Sequence, residues 1–325
     1  TDMFNRKKNC KPSARNLNLK AHTWNEFVLQ LKHFIKPMVE TMNYLDKAIA
    51  ELNPQPFLSV TTNDCVERGL DITSGGACYD FTTTQLIGLA TVGDSLAVIK
   101  KIVFEEKLLS YEEIVKMLTK NYRGTYQGKK GETWREIFIN KVPKFGNDDD
   151  YVDSIVRDVA RVFCEEILKH KNFRGGNYNP GLYTTSFHIA LGVFTAASAD
   201  GRKSRDILSN GVGPTNGRDK NGPTAILNSV MKLDNELMTN GNSVILSFHP
   251  NSLNPNTFLP LIRTYFKKEG GYHVQFNAVG KEILCDAQKN PNQYRGLVVR
   301  IAGYSVLFNE ISKLAQDDVI ARTQY

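Results

Sequence analysis

An α/β fold is the architecture this sequence predicts, and three observations carry it. Apolar residues recur at three- and four-residue steps over several long stretches, the spacing of amphipathic helices. Short runs of strand-type composition, such as "SVILSFHP" and "HVQFNAV", stand between them. Loops rich in glycine and proline separate the two kinds of segment. Alternating helices and short apolar strands make a mixed α/β protein, and no internal repeat is detectable. With 325 residues, 41% hydrophobic and 23% charged, the chain has globular composition and the length of one large domain or two ordinary ones.

Residues 24–52 read as a helix, with Phe27, Leu31, Phe34, Ile35, Met38, Met42, Leu45 and Ile49 on its apolar positions. Pro37 is expected to kink or split it, because proline lacks the amide donor that helical bonding needs. "NPQPFLSV" ends the helix and leads into the glycine-rich "DCVERGLDITSGGACYDFTT". The next helix is predicted over residues 85–106, and Ser110 with Glu113 forms a capping box that opens another. "KKGETWREIF" and "FGNDDDYVDS" read as exposed connections, followed by helical spacing over residues 152–168. "FRGGNYNPGLYTTSFHIALGVFTAASADGRK" predicts strands and loops rather than helix. The loop "GVGPTNGRDKNGPTAIL" precedes a helix reaching about Met238, and the two short strands flank a helical stretch at residues 256–268. Near the end, "VVRIAGYSVLF" has the flanks of a buried strand but carries Ala302-Gly303 at its centre. A glycine there gives up packing and costs backbone entropy, so something must require it.

The totals exclude several functions. The net charge is +7, but apart from Arg6, Lys7, Lys8 and Lys11 the basic residues are scattered. A nucleic-acid binder would gather them into a stripe with exposed aromatics, so a basic surface with an anionic small-molecule partner is expected, and no nucleic acid. No apolar run approaches the roughly 18 residues of a membrane span. The start of the sequence is basic and polar, without the apolar segment of a signal peptide and without an initiator Met, so the chain is expected to begin within something larger. The five cysteines, Cys10, Cys65, Cys78, Cys164 and Cys285, are widely spaced with no CxxC pair. That argues against a disulfide framework or zinc site and for a reducing cytoplasm.

Some motifs fail on their chemistry. "GRDKNGPT" has the outer spacing of a phosphate-binding loop, but Pro223 stands where the phosphate-gripping Lys belongs, so it reads as a loop entering a helix. "GYSVL" begins like a nucleophile elbow but has Leu307 in place of the second Gly. "NDDDYVD" lacks the Gly and terminal Glu of a calcium loop and reads as a solvated acidic turn. The histidines, His188, His249 and His273 among them, lack metal-ligand spacing and read as hydrogen-bonded core or loop residues.

One constellation does not fail. Arg300-Ile301-Ala302-Gly303-Tyr304-Ser305, within "RGLVVRIAGYSVLFNEISKLAQDDVIART", closely resembles the glycyl radical signature of the pyruvate formate-lyase and glycerol dehydratase superfamily, with Ile for the usual Val. "DCVERGLDITSGGACYDF", "RGGNYNPGLYTTSFHIALG", "ADGRKSRDILSNGVGPTNGRDKNGPTAIL" and "GYHVQFNAVGKEILCDAQKNP" resemble successive family segments in order. The resemblance spans residues 24–323 and is closer to the diol dehydratase, choline lyase and arylacetate decarboxylase branch than to pyruvate formate-lyase. The chemistry explains the glycine. A backbone Cα radical delocalises into the amide nitrogen on one side and the carbonyl on the other, which needs a near-planar Cα that a Cβ would crowd.

The resemblance implies the rest. Gly303 would hold the radical, flanked by Arg300, Ala302, Tyr304 and Ser305. A separate S-adenosylmethionine radical enzyme with an iron–sulfur cluster would generate it, and an active-site cysteine would take it up as a thiyl radical that attacks substrate. No metal or organic cofactor is expected in the mature site. The family cysteine sits in a Gly-Cys-Val-Glu type motif further upstream than this sequence reaches. Cys65 in "DCVERG" imitates its spelling, but the segment after it matches a later family region, so Cys65 reads as a loop or core cysteine. Glu67 is a candidate for the substrate pocket, with an ion pair to Arg68 or a loop cap as its alternative. Asp80 stands where the family shows Asn, and Cys78 takes a variable place.

The expected architecture is the second half of a ten-stranded α/β barrel, with residues 1–200 its barrel part and residues 201–325 the glycyl radical domain. A closing helix would bury Phe308, Ile311, Leu314 and Val319. The missing half, or a partner chain, would complete an enzyme that forms a homodimer. The function expected is radical C–O, C–N or C–C cleavage. The alternative is a non-catalytic remnant, or a radical-bearing spare-part subunit that docks on a partner chain.

Overall fold

The computed structural model of the chain describes residues 21–267 and 270–325. The basic cluster of Arg6, Lys7, Lys8 and Lys11, together with Cys10, lies outside the described residues. Helix α1 (Ala21–Leu52) runs through Pro37 without being split. Short helices α2 (Pro56–Thr61) and α3 (Cys65–Arg68) follow. Strand β1 (Phe81–Gln85) forms just ahead of the predicted helix and takes only its first residue, Gln85, because three consecutive threonines favour an extended chain. Helix α4 (Leu89–Val98) begins after it and passes into a π-helical segment, Ile99–Glu105.

Helix α5 (Tyr111–Thr119) opens on the reciprocal Ser110–Glu113 capping box that the sequence predicts. The stretch read as an exposed connection is instead a small hairpin, β2 (Thr125–Tyr126) with β3 (Lys129–Lys130), running into helix α6 (Gly131–Asn140). Trp134 and Phe138, one turn apart, are almost wholly buried and fix that helix to the core. The acidic run is also more than a solvated turn. Asp149 caps helix α7 (Asp150–Ile167), while Asp148, Asp150 and Asp153 converge on Lys232 Nζ at 2.6–2.8 Å. Gly93 of α4 lies against Val156 of α7, where a Cβ would approach Val156 Cγ2 to 2.2 Å, so the two helices pack closely only with glycine there.

Strand β4 (Asn177–Gly181) pairs in parallel with β1, Thr83 opposite Asn179. Helix α8 (Phe187–Phe194) then forms where strands and loops are expected, and its buried His188 ties it to the C-terminal region. Helix α9 (Gly222–Met231) ends before Met238, and a short 3-10 turn, Asn235–Leu237, follows it. Strands β5 (Val244–Ser247) and β6 (Val274–Asn277) flank helix α10 (Pro255–Lys267) and pair in parallel, Leu246 opposite Phe276. Helix α11 (Lys281–Lys289) leads to the antiparallel pair β7 (Val298–Arg300) and β8 (Ser305–Leu307), and helix α12 (Lys313–Ala321) follows.

One apolar core joins α1, α4, α7 and β5, with residues from both sides of position 200. A second, smaller core of Leu284, Ala287, Val299, Ile301, Ala302, Phe308 and Val319 lies under the β7–β8 hairpin. The closing helix differs from expectation. Phe308 and Ile311 precede it, Leu314 is 53% exposed, and its buried positions are Ala315, Asp318 and Val319.

Among the described residues every strand belongs to a two-stranded pair, and beyond isolated bridges such as Ser247–Gln324 no further strand covers the outer edges. Free edges template association with other chains. Expressed alone, the chain is therefore expected to self-associate, visible as mass above the monomer in light scattering. A monodisperse monomer that melts cooperatively would contradict this.

Candidate functional site

Gly303 stands at the tip of the β7–β8 hairpin with φ of +97°, a conformation that residues with a side chain rarely adopt. The interrupted strand of the sequence is thus two strands around a turn, held across its base by Ile301 N donating to the Tyr304 carbonyl at 3.0 Å. Gly303 is exposed, and a Cβ built on it would meet nothing within 4 Å. Packing within this chain does not require the glycine, so its conformation and its chemistry remain as reasons. Ala302 points the other way into the small core, fully buried.

Polar side chains from distant elements hold the hairpin through its backbone. Asn277 on β6 reads both backbone groups of Arg300: its Oδ1 accepts from Arg300 N at 2.7 Å and its Nδ2 donates to Arg300 O at 2.9 Å. Two residues earlier, on the same side of β6, Gln275 Oε1 accepts from Gly303 N at 3.2 Å. From the opposite direction, Arg322 donates to Arg300 O and Ile301 O at 2.8 and 2.9 Å, and Asn210 Nδ2 reaches Ile301 O at 3.3 Å. Arg322 is fixed by Asp318 at 2.8 Å, and Asp318 meets His188 Nε2 at 3.3 Å. The chain closes through His188 Nδ1 to Thr184 and from Thr184 to Asn210. Burial alone would push the Asp318 carboxyl up, but His188 and Arg322 hold it well below the usual carboxylate range.

Of the predicted flank residues, Arg300 also donates from its guanidinium to Ser305 Oγ at 3.0 Å, and the Tyr304 hydroxyl pairs with Ser186 Oγ at 2.6 Å. A small cavity beside these anchors is lined by Asn210, Asn216, Asp219, Ser247, Arg322 and Tyr325. The tail after α12 is itself tied down. Tyr325 N donates to Ser247 O, His249 N donates to Tyr325 O, and Thr323 and Tyr325 both engage Asp219.

The sequence model of the family described as "Pyruvate formate lyase-like" matches residues 10–192, more than half of the chain. The chain belongs to this family. A second model, "Glycine radical", matches residues 208–309, the span that contains Gly303. Among curated relatives, the "Probable dehydratase YbiW" of Escherichia coli K12 is 35% identical over 323 residues, covering 96% of this chain and 39% of that protein. Two solved structures superpose well. The glycerol-bound form of the B12-independent glycerol dehydratase from Clostridium butyricum gives a TM-score of 0.88 at 42% identity, over 93% of this chain and 38% of that one. The Roseburia inulinivorans structure titled for 1,2-propanediol dehydration gives 0.89 at 43%, with the same coverage. The chain therefore spans about two fifths of the length of these glycyl radical enzymes.

Within this family fold the remaining sequence candidates separate from the hairpin. Glu67 lies exposed on α3, and no hydrogen bond or ion pair joins it to Arg68 or to the hairpin. Arg68 instead donates to the Gly76 carbonyl at 2.9 Å. Cys65 is buried against Gly76, where a Cβ would meet its Sγ at 2.7 Å, and burial with the nearby Asp64 and Asp71 pushes its thiol up. It packs the loop. Asp80 forms a two-oxygen ion pair with Arg174, which also reaches Asp46. The Asp80 carboxylate thus has a local cationic partner. Among the described residues no group of three or more His, Cys, Asp or Glu side chains is arranged to hold a metal ion, and no helix is long and apolar enough to cross a membrane.

Proposed function

We propose that this chain is the radical-bearing part of a glycyl radical lyase, with Gly303 as the store of the unpaired electron. The observation that carries the reading is Gly303 at φ +97° on the tip of a hairpin whose neighbouring backbone groups are gripped by Gln275, Asn277, Asn210 and Arg322. A separate S-adenosylmethionine radical enzyme with an iron–sulfur cluster removes one hydrogen atom, with one electron, from the Gly303 Cα. The radical then takes a hydrogen atom from an active-site Cys–SH, restoring Gly303 and leaving a thiyl radical to take hydrogen from substrate and later return it. That cysteine belongs to the barrel half outside this sequence. The mature site needs no metal or organic cofactor for these transfers.

Dehydration, a C–O cleavage, is the favoured reaction. Curated relatives named as dehydratases stand at 35–37% identity and two solved dehydratase structures at 42–43%, whereas relatives named as an indoleacetate decarboxylase and isethionate sulfite-lyases stand at 32–33%. In this reading residues 1–200 complete a ten-stranded barrel with the absent half, residues 201–325 form the radical domain, Glu67 faces the substrate space, and the whole enzyme is a cytoplasmic homodimer. Because the chain spans only 39% of its relative, a second reading stands beside this one: a spare radical-bearing subunit, or a remnant, that docks on a partner chain. An in-frame Gly-Cys-x-Glu motif in the DNA upstream of Thr1 would favour the single enzyme; a stop codon there would favour the second reading.

The test is anaerobic activation in the presence of the complementary half, followed by air. Electron paramagnetic resonance should show the doublet of a glycyl radical, and oxygen should cut the backbone at Gly303, releasing a piece near residues 304–325 in denaturing mass spectrometry. A chain that stays whole in air after showing the doublet would place the radical elsewhere.

A further inference from the structure

We infer that Gln275, oriented by His273, is a positioning residue for the radical-bearing peptide. The inference rests on Gly303 being the radical site. Gln275 Oε1 is the acceptor of the Gly303 N–H at 3.2 Å, and the Gln275 side chain is 4% exposed. A carboxamide can present either its oxygen or its NH2 group to a neighbour, and only the oxygen can accept this N–H. The other end of the amide decides which. Gln275 Nε2 stands 3.3 Å from His273 Nε2, and that contact is a hydrogen bond when the ring nitrogen accepts. Burial and the Arg300 guanidinium disfavour the doubly protonated ring, and of the two neutral tautomers the one with its proton on Nδ1 leaves Nε2 as the acceptor. In that tautomer His273 points the Gln275 oxygen at Gly303.

The consequence is specific to a Cα radical. Delocalisation draws electron density from the amide nitrogen toward the carbonyl, which leaves the N–H more positive than in the closed-shell peptide. An oxygen fixed on that N–H stabilises the radical more than the resting glycine and holds the peptide in one plane. Asn277 on the same strand fixes Arg300 at the base of the hairpin. The polar pair 275 and 277 thus serves the backbone of the loop from one strand face.

Two measurements separate this role from a structural one. In the chain labelled with 15N-glycine, Gln275→Met should speed exchange of the Gly303 amide on the order of threefold to tenfold, the range of one neutral hydrogen bond, while Gln275→Glu, which keeps an acceptor, should stay near wild type. His273→Phe leaves Gln275 in place but removes its orienting acceptor, and should fall between the two. It supplies the answer where Gln275→Met fails to melt cooperatively. In the activated assembly, Gln275→Met should change the small N–H proton coupling superposed on the Cα–H doublet and shorten the radical's lifetime by a similar factor. A wild-type doublet whose coupling and lifetime are indifferent to Gln275→Met and to His273→Phe overturns the positioning role alone. Absence of any doublet in the activated wild type overturns the Gly303 reading, and this role with it.

Discussion

Gly303→Ala is expected to abolish both the doublet and the oxygen-dependent cut while leaving the fold nearly intact. A Cβ at this position meets nothing within 4 Å, so no contact is broken or forced. The fold penalty comes from φ alone, roughly 1–2 kcal/mol for a side chain in left-handed backbone. That is a modest fall in melting temperature against complete loss of signal. The separation matters because a glycine required by packing would fail in the opposite order, with stability collapsing first. A Gly303→Ala chain that keeps the doublet would remove Gly303 from the mechanism.

The second large effect is expected at Asp318. Replacing it with Ala leaves His188 and Arg322 facing each other in the interior without their shared carboxylate, and breaking a buried charge pair in this way costs about 3–5 kcal/mol. Arg322 then loses its hold on Arg300 O and Ile301 O, so radical yield after activation should fall together with the melting temperature. The acid limb gives an independent readout. The carboxyl is held below its unfolded value, so its contribution is fully present above about pH 4 and is lost as pH falls through the lower folded value. Asp318→Asn should accordingly weaken the dependence of stability on pH below about pH 4, and leave its slope above pH 5 unchanged. An acid limb identical to wild type would show that Asp318 is not the group titrating.

Much of the scaffold was legible because its signals are local. The Ser110–Glu113 box closes within four residues, and the two short runs that became β5 and β6 carry their own apolar composition. The segment around Gly303 was legible as a glycine radical region because its motif is contiguous. What escaped depended on distant partners. Lys and Gly at its edges made α6 resemble a loop, and only the core that receives Trp134 and Phe138 makes it a helix. Helix α8 hid among glycines and aromatics, and its anchor His188 finds Asp318 across 130 positions. Gln275 and Asn277 did leave a trace, as two polar residues at alternate positions of an otherwise apolar strand. Buried amides on one strand face call for a backbone partner, but sequence order does not show that the partner is residues 300–303.

The anchoring of the tail has a consequence for damage. Residues after Gly303 are held by β8 pairing with β7, by Arg322 on the Arg300 and Ile301 carbonyls, and by Tyr325 and Thr323 on β5 and Asp219. A molecule nicked by oxygen would keep its severed end seated, with an unchanged mass in native conditions. Inactivation would be silent until the protein is denatured. A replacement segment would first have to evict the old one, so repair would be limited by the departure of the broken piece rather than by the arrival of a new one.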